Sequence, residues 1–228
     1  MPELIKRLVK KLNPFAFLEP EGDAGIQKIG HRNYVGGMWD EIGNLQFNFL
    51  VSRGLLPQHH LLDIACGALR LGVKAIPYLE PGHYLGIEKE AALVKAGLEQ
   101  ELDPAVRAAK QPQIVVSDAF EFEKFGRQAD YAIAQSLFSH FPPDLIGLCF
   151  RKLRPHMADG GVFFATYFET QTRIRNPDVP HDHGYFAYTR AEMCGFGEAH
   201  GFTADYIGDW KHPREQVIVA YRPRPAGG

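Results

Sequence analysis

The feature that most constrains this chain is an alternation of short apolar runs with segments of helical period. HHLLDIACG (59–67) is an apolar run stopped by a small-residue turn, and it reads as a buried strand. Leu69 to Tyr78 has helical periodicity, with Pro77 near its end. HYLGIE (83–88) is a second strand, followed by a helix from about Ala91 to Leu102. Gln113 to Val116 and ADYAIAQ (129–135) are a third and fourth strand. Pro142 to Leu153 reads as a helix and Gly161 to Phe168 as a fifth strand. Ahead of them a helix runs from about Met38 to Arg53, ended by Gly54 and Pro57. Strands that alternate with helices imply right-handed crossovers and a parallel sheet covered on both faces. The tail breaks the pattern. After a helix over Arg190 to His200, only the short stretch Gly208 to Glu215, with Gly208 to Pro213 as its turn, separates two strands, Phe202 to Ile207 and Gln216 to Tyr221. That gap is short for a crossover helix, so the last pair is expected to be an antiparallel hairpin.

The length of 228 residues suits one domain, or one domain with a modest cap. Hydrophobic residues at 45% give enough apolar surface to exclude a wholly disordered chain. A formal net charge of −2 supplies no basic excess, so no nucleic-acid partner is expected. Three scattered cysteines without a CxxC pair argue against a disulfide scaffold and for a reducing, cytoplasmic location. Apolar stretches such as Val162 to Phe168 are strand-sized, well short of the roughly 20 residues of a spanning helix. Residues 1–12 place Lys6, Arg7, Lys10 and Lys11 between Leu4, Ile5, Leu8, Val9 and Leu12. This is a short amphipathic helix rather than a signal peptide. It either docks on the domain or makes a weak contact with an anionic membrane surface or a partner. Composition leaves the oligomeric state open.

On a parallel sheet, ligands bind beyond the carboxyl ends of the strands. Three acids stand there. Asp63 closes the first strand, Glu88 ends the second, and Asp118 follows the third in VSDAF (116–120). Together they suit a nucleoside with an amino acid attached. Ala65 and Gly67 lack bulk, so backbone can approach a ligand at a helix N-terminus. An ionised Glu88 can accept two hydrogen bonds from a ribose diol. Asp118 can accept from an adenine amine, with the Ala119 N–H available to a ring nitrogen, and Asp63 can orient an ammonium. Each acid could instead be a strand-end cap. A nicotinamide-dependent oxidoreductase also carries an acid after its second strand, but it expects G-x-G-x-x-G where this chain has Ala65, Gly67 and Ala68-Leu69-Arg70.

LLDIACGALRLG, HYLGIEKE, VSDAF and DYAIAQSLFSH resemble the successive motifs of class I S-adenosylmethionine-dependent methyltransferases, and the resemblance covers roughly residues 30 to 221. It implies a Rossmann-like α/β fold: a seven-stranded, mostly parallel sheet with a C-terminal antiparallel hairpin and helices on both faces. It divides the chain into an N-terminal helical extension and cap (1–56) and a cofactor-binding core (57–228). The implied cofactor is S-adenosylmethionine, with S-adenosylhomocysteine as product. The family has glycine where Ala65 stands, and often where Leu69 stands, although the Ala68-Leu69-Arg70 turn is familiar among bacterial small-molecule members. The resemblance further suggests that the segment from Gly30 to Gly37 folds over the cofactor, where Arg32 or Tyr34 meets its carboxylate or ring, and that Gln135 lies beside it.

Methyl transfer from a sulfonium asks mainly for alignment and exclusion of water. A hydroxyl acceptor usually also needs a general base. His140, after the fourth strand, is the first candidate, with an ordinary histidine titration near 6.5 expected. His181 and His183 follow, on a loop from about Thr170 to Tyr188 that lines the acceptor pocket; His31 comes after them. His181-Asp182-His183 is not expected to hold a metal, because adjacent residues of an extended loop point apart. Trp210 and Arg214 either wall the pocket or pack the hairpin tip. Gln135-Ser136-Leu137-Phe138 stands where nucleobase-amine enzymes carry Asn-Pro-Pro-Tyr. The expected acceptor is therefore a small molecule, a sugar or other polyhydroxylated natural product, with oxygen favoured over nitrogen. The alternatives are a lipid-linked acceptor, motivated by residues 1–12, and a non-catalytic protein that binds the cofactor.

Overall fold

The structure is a computed structural model and describes residues 20–225. The amphipathic segment at residues 1–12 lies outside the described residues. Among the described residues, three helices precede the sheet: α1 (Gly22–Ile29), α2 (His31–Tyr34) and α3 (Trp39–Ser52). Strands β1 (Leu61–Ile64), β2 (Tyr84–Glu88), β3 (Gln113–Val116), β4 (Ala129–Ala134) and β5 (Met157–Glu169) follow. They are linked through α4 (Gly72–Tyr78), α5 (Ala91–Ala96), α6 (Pro104–Lys110) and α7 (Pro143–Leu153). A two-residue strand β6 (Ala187–Tyr188), helix α8 (Arg190–Glu198) and the pair β7 (Phe202–Asp209) and β8 (Val217–Pro223) complete the chain.

The main sheet runs β3-β2-β1-β4-β5-β8-β7, and β6 pairs with the far end of β5. β1 to β5 are mutually parallel, while β8 lies antiparallel to both β5 and β7. This is the expected mostly parallel α/β sheet with a terminal antiparallel hairpin. The order reverses between β1 and β4, and a ligand crevice is expected at such a switch point.

Strand alternation divides the core. Leu62 and Ile64 of β1 point to one face, with Phe138, Phe150, Phe163 and Tyr221. Leu61 points to the other, with Leu71, Ile76, Ile133, Phe164 and Trp210. Each such Leu or Phe is worth about 1.5–3 kcal/mol on burial. Asp63 shares the parity of Leu61, so the strand drives a carboxylate into an otherwise apolar layer.

Several boundaries differ from the sequence reading for visible reasons. The helix expected from Leu69 begins at Gly72, because Leu69 itself takes a left-handed conformation (φ 65°). The helix expected over Ala91 to Leu102 is α-helical only to Ala96 and continues as one π-helical turn, Gly97–Glu101. There Gly97 lies so close to the turn after β1 that a Cβ would sit 2.7 Å from the Ala68 carbonyl oxygen. Helix α6 was not anticipated, although its signal is local: Asp103 caps it by accepting from the Ala105 and Val106 N–H groups, and Pro104 opens it. The hairpin strands extend past the predicted ends, to Asp209 and Pro223.

Candidate active site

A cavity of about 670 Å³ opens beyond the carboxyl ends of β1 to β4. Its floor is the turn after β1. Ala65, Gly67 and Leu69 all have positive φ (58°, 56° and 65°). Two of these three are not glycine, and these two are the positions where the sequence departs from the resembled pattern. Adding a side chain at Gly67 would place Cβ 2.9 Å from Val35 Cγ1, so backbone and the loop above it are already in contact.

Glu88 fastens this turn to β2. One carboxylate oxygen accepts from the Gly67 N–H (2.9 Å) and the other from the Glu90 N–H (3.0 Å). Each oxygen keeps acceptor capacity for a ligand. Burial pushes the Glu88 carboxyl above its ordinary range, opposed by those backbone donors and by Lys89. Asp63 is 3% exposed, and accepts from the Tyr84 hydroxyl at 2.6 Å. Burial raises its carboxyl to about 7, against the pull of that hydrogen bond and of Arg70. Asp118 lies on the cavity wall with Ser117 and Phe120.

Of the other expected residues, Tyr34, Ala65, Gly67, Gln135, His140 and His183 also line the cavity. Arg32, His181 and Ala119 do not. Arg32 is exposed and forks onto Glu101 (2.7 and 2.6 Å), which His31 also engages at 2.5 Å. Arg32 therefore pins α2 to the π-helical turn instead of facing the cavity. The Ala119 N–H points to the Ser117 hydroxyl at 3.1 Å, within its own turn. His181 pairs with Glu21 at 3.5 Å. The Tyr34 hydroxyl donates to Asp182 and accepts from the Gly22 N–H at 2.7 Å, and Lys89 binds the other Asp182 oxygen at 2.5 Å. Burial alone would raise the Asp182 carboxyl, but the hydrogen bonds from Lys89 and Tyr34 hold it below its usual value. This junction ties α1, α2, the end of β2 and the 181–184 loop together over the cavity.

His140 Nδ1 and His183 Nε2 are buried with no hydrogen-bond partner among the described residues. Burial takes His140 down to about 4, only partly offset by the charge of Asp182, so the ordinary titration expected from the sequence does not hold for this ring. It is neutral throughout the physiological range. Among the described residues, no three His, Cys, Asp or Glu side chains converge as a metal site.

The sequence reading missed several wall residues. Arg70 is 8% exposed and donates to the Val35 and Gly37 carbonyls (3.1 and 3.0 Å) and to Gln135 Oε1 (2.5 Å). Burial, then the charge of Arg214, lowers it to about 10. Gln46 is buried with an unpartnered Oε1. Its signal was a polar residue on the apolar stripe Ile42, Gln46, Leu50 of α3. Gln216 ties three strand ends together: it accepts from Thr166 Oγ1 (2.7 Å) and donates to Ser136 Oγ (2.6 Å), while the Ser136 N–H donates to Thr166 Oγ1 (2.7 Å). Trp210 is buried in the hairpin tip, and Arg214 reaches the cavity.

A family model described as a methyltransferase domain matches residues 62–163. That span contains β1 from Leu62 onward, β2 to β4 and all three strand-end acids. None of the curated protein sequences matches the chain. Solved structures with similar folds include magnesium protoporphyrin IX methyltransferase from Synechocystis PCC 6803 with bound S-adenosylhomocysteine (TM-score 0.63, 14% identity, covering 89% of this chain and 95% of that one). A putative O-methyltransferase from Nostoc punctiforme PCC 73102 is 19% identical (TM-score 0.62, 96% and 69% covered). The sugar N-methyltransferase KedS8 from Streptoalloteichus sp. ATCC 53650 is 16% identical (TM-score 0.60, 83% and 89% covered). The segment 62–163 thus matches a methyltransferase domain, and the fold around it is similar to that of methyltransferases crystallised with S-adenosylmethionine or S-adenosylhomocysteine.

Proposed function

We propose that the chain transfers a methyl group from S-adenosylmethionine to a hydroxyl of a small polyhydroxylated acceptor, a sugar or related natural product. The observation that carries this reading is one cavity lined by Glu88, Asp118 and the Gly67 turn together with His140 and His183, whose rings each bury one nitrogen without a hydrogen-bond partner. The nucleoside end fits the cofactor: Glu88 keeps lone pairs for a ribose diol, Asp118 faces the adenine side, and Asp63 and Gln46 offer acceptors to an ammonium. When bound, the cofactor supplies an activated methyl on a sulfonium.

The residues of the chain do the rest. Gln135 and Ser136, held by Arg70 and Gln216, set the floor beneath the reacting atoms. Phe141 and Phe168 exclude water. As the acceptor oxygen forms its bond to the methyl carbon, the carbon–sulfur bond breaks and its electron pair stays on sulfur. The hydroxyl proton passes to neutral His140, and the nearby Asp182 carboxylate stabilises the imidazolium. His183 stands second for the same role, while Arg32, Ala119 and His181 drop out. Of the predicted cap (1–56), the described residues 20–56 serve as the cover over the core, described from 57 to 225. Similar folds carry a sugar N-methyltransferase and a putative O-methyltransferase, in keeping with this acceptor class.

Transfer of labelled methyl groups to a panel of sugars and polyols tests the reading. Transfer to a hydroxyl supports it. Failure to bind S-adenosylmethionine refutes it, and binding without turnover on any acceptor points to a non-catalytic binding protein.

A further inference from the structure

The basic side chains lining the cavity, among the described residues, are Arg70, Lys89 and Arg214. Lys89 is neutralised by Asp182 at 2.5 Å and by Glu90 at 3.4 Å. The two arginines have no carboxylate partner within ion-pair distance among the described residues. They spend their donors on one glycine loop instead: Arg70 on the Val35 and Gly37 carbonyls, Arg214 on the Gly36 carbonyl between them. Gly36 leaves room for this, since a Cβ there would lie 3.2 Å from an Arg214 guanidinium nitrogen. Two guanidiniums thus line the cavity while holding adjacent carbonyls of one loop. Arg70 feels the charge of Asp63, which already accepts from the Tyr84 hydroxyl.

The cofactor brings one carboxylate. Arg70 is the arginine placed to take it, because it is buried, follows directly on the Gly67 turn and keeps an unpartnered Nε. The cofactor also brings an ammonium and a sulfonium, so its binding adds no net negative charge at this end. Arg214 is then left without an anion. It is the exposed member of the pair and sits on the β7–β8 connection, two residues before Gln216, whose amide reaches Ser136 beyond β4. It therefore stands at the mouth of the acceptor end.

We propose that Arg214 recognises an anionic group, a carboxylate or phosphate, carried by the acceptor. The inference rests on the methyltransferase reading and narrows its substrate class to acidic or phosphorylated polyhydroxylated molecules. A guanidinium presents a planar fork that can meet either group with two parallel hydrogen bonds, a geometry a lysine ammonium does not offer.

The test uses the full chain saturated with S-adenosylhomocysteine, whose affinity is measured first by calorimetry. Failure of the wild type to bind it would sink the methyltransferase reading itself, before any anion is added. Inorganic phosphate and glucuronate are then titrated at constant ionic strength, with glucose as the neutral control. Saturable binding of phosphate or glucuronate, with glucose at least about tenfold weaker, is expected. The stronger of the two anions identifies the group. Arg214→Gln should lose at least about tenfold of that anion affinity, Arg214→Lys should recover part of it, and S-adenosylhomocysteine affinity should stay within about threefold in both. The inference is overturned if wild type binds neither anion saturably, or if Arg214→Gln binds them as well as wild type. It is equally overturned if Arg214→Gln loses about tenfold or more of cofactor affinity, which would assign both arginines to the cofactor carboxylate.

Discussion

Asp63→Asn should stabilise the empty protein while weakening cofactor binding. Asp63 lies 3% exposed, and its carboxyl is raised to about 7 from an ordinary 3.8, burial being the largest cause. An acid whose pKa is raised on folding holds its proton more tightly in the folded state. Its contribution is therefore fully present below about pH 4 and is lost as pH rises through about 7. At about 1.4 kcal/mol per pKa unit, the shift of roughly three units amounts to about 4 kcal/mol. Asparagine keeps the shape and can still accept from the Tyr84 hydroxyl, but it carries no charge to desolvate. Urea denaturation of wild type and variant at pH 5 and pH 8 measures the difference between them. The advantage of Asp63→Asn should grow by about 2–4 kcal/mol from the lower pH to the higher. Taking the difference cancels the histidines and the paired carboxylates, which titrate in both proteins. A variant that is less stable at both values, or a gap that does not change with pH, would refute the desolvation argument. The same substitution should weaken S-adenosylmethionine, because a neutral amide cannot pair with its ammonium.

Glu88→Ala should weaken S-adenosylmethionine by on the order of 2–3 kcal/mol in calorimetry, through loss of charge-assisted bonds to the ribose. Asp118→Ala should weaken adenosyl ligands more than an inosine analogue, which lacks the amine; equal losses in a competition assay would make Asp118 a cap. His140→Ala should lower turnover by roughly 10²–10⁴-fold with cofactor affinity nearly unchanged. With its imidazole lowered to about 4, no loss of rate from His140 protonation is expected until the pH falls well below 6, where a pH–rate profile would show it. Ala65→Gly should raise the thermal midpoint, since a left-handed alanine costs about 1–2 kcal/mol and the added freedom of glycine in the unfolded chain returns about half of that.

Much of this arrangement was legible in the sequence because it is local. The order of strands and helices follows from runs such as LLDI and YLGIE, and an acid at a strand end announces itself by position. The short interval between Phe202–Ile207 and Gln216–Tyr221 sufficed to read the antiparallel hairpin. What was not legible depends on contacts between distant segments. Arg32 and Tyr34 are two residues apart on one short helix, yet Tyr34 faces the cavity while Arg32 turns to Glu101, 69 residues away in sequence. His140 looked like an ordinary histidine, and only the packing of the 181–184 loop against it removes its water. The left-handed φ values of Ala65 and Leu69 were hidden because neither residue announces that conformation as glycine does.

The cavity wall also shows why the N-terminal helices and the core form one working unit. Arg70 belongs to the core but spends two bonds on Val35 and Gly37, and Arg214 of the hairpin bonds Gly36 between them. Farther along, Asp182 gathers Tyr34 from α2 and Lys89 from the end of β2. The loop at 35–37 and the loop at 181–184 are thus each held by charged or strongly polar groups that also face the ligand space. Such contacts are stronger in a dry site than in water, since the effective dielectric falls. The 35–37 loop and the 181–184 loop are thus fixed by side chains that also line the cavity.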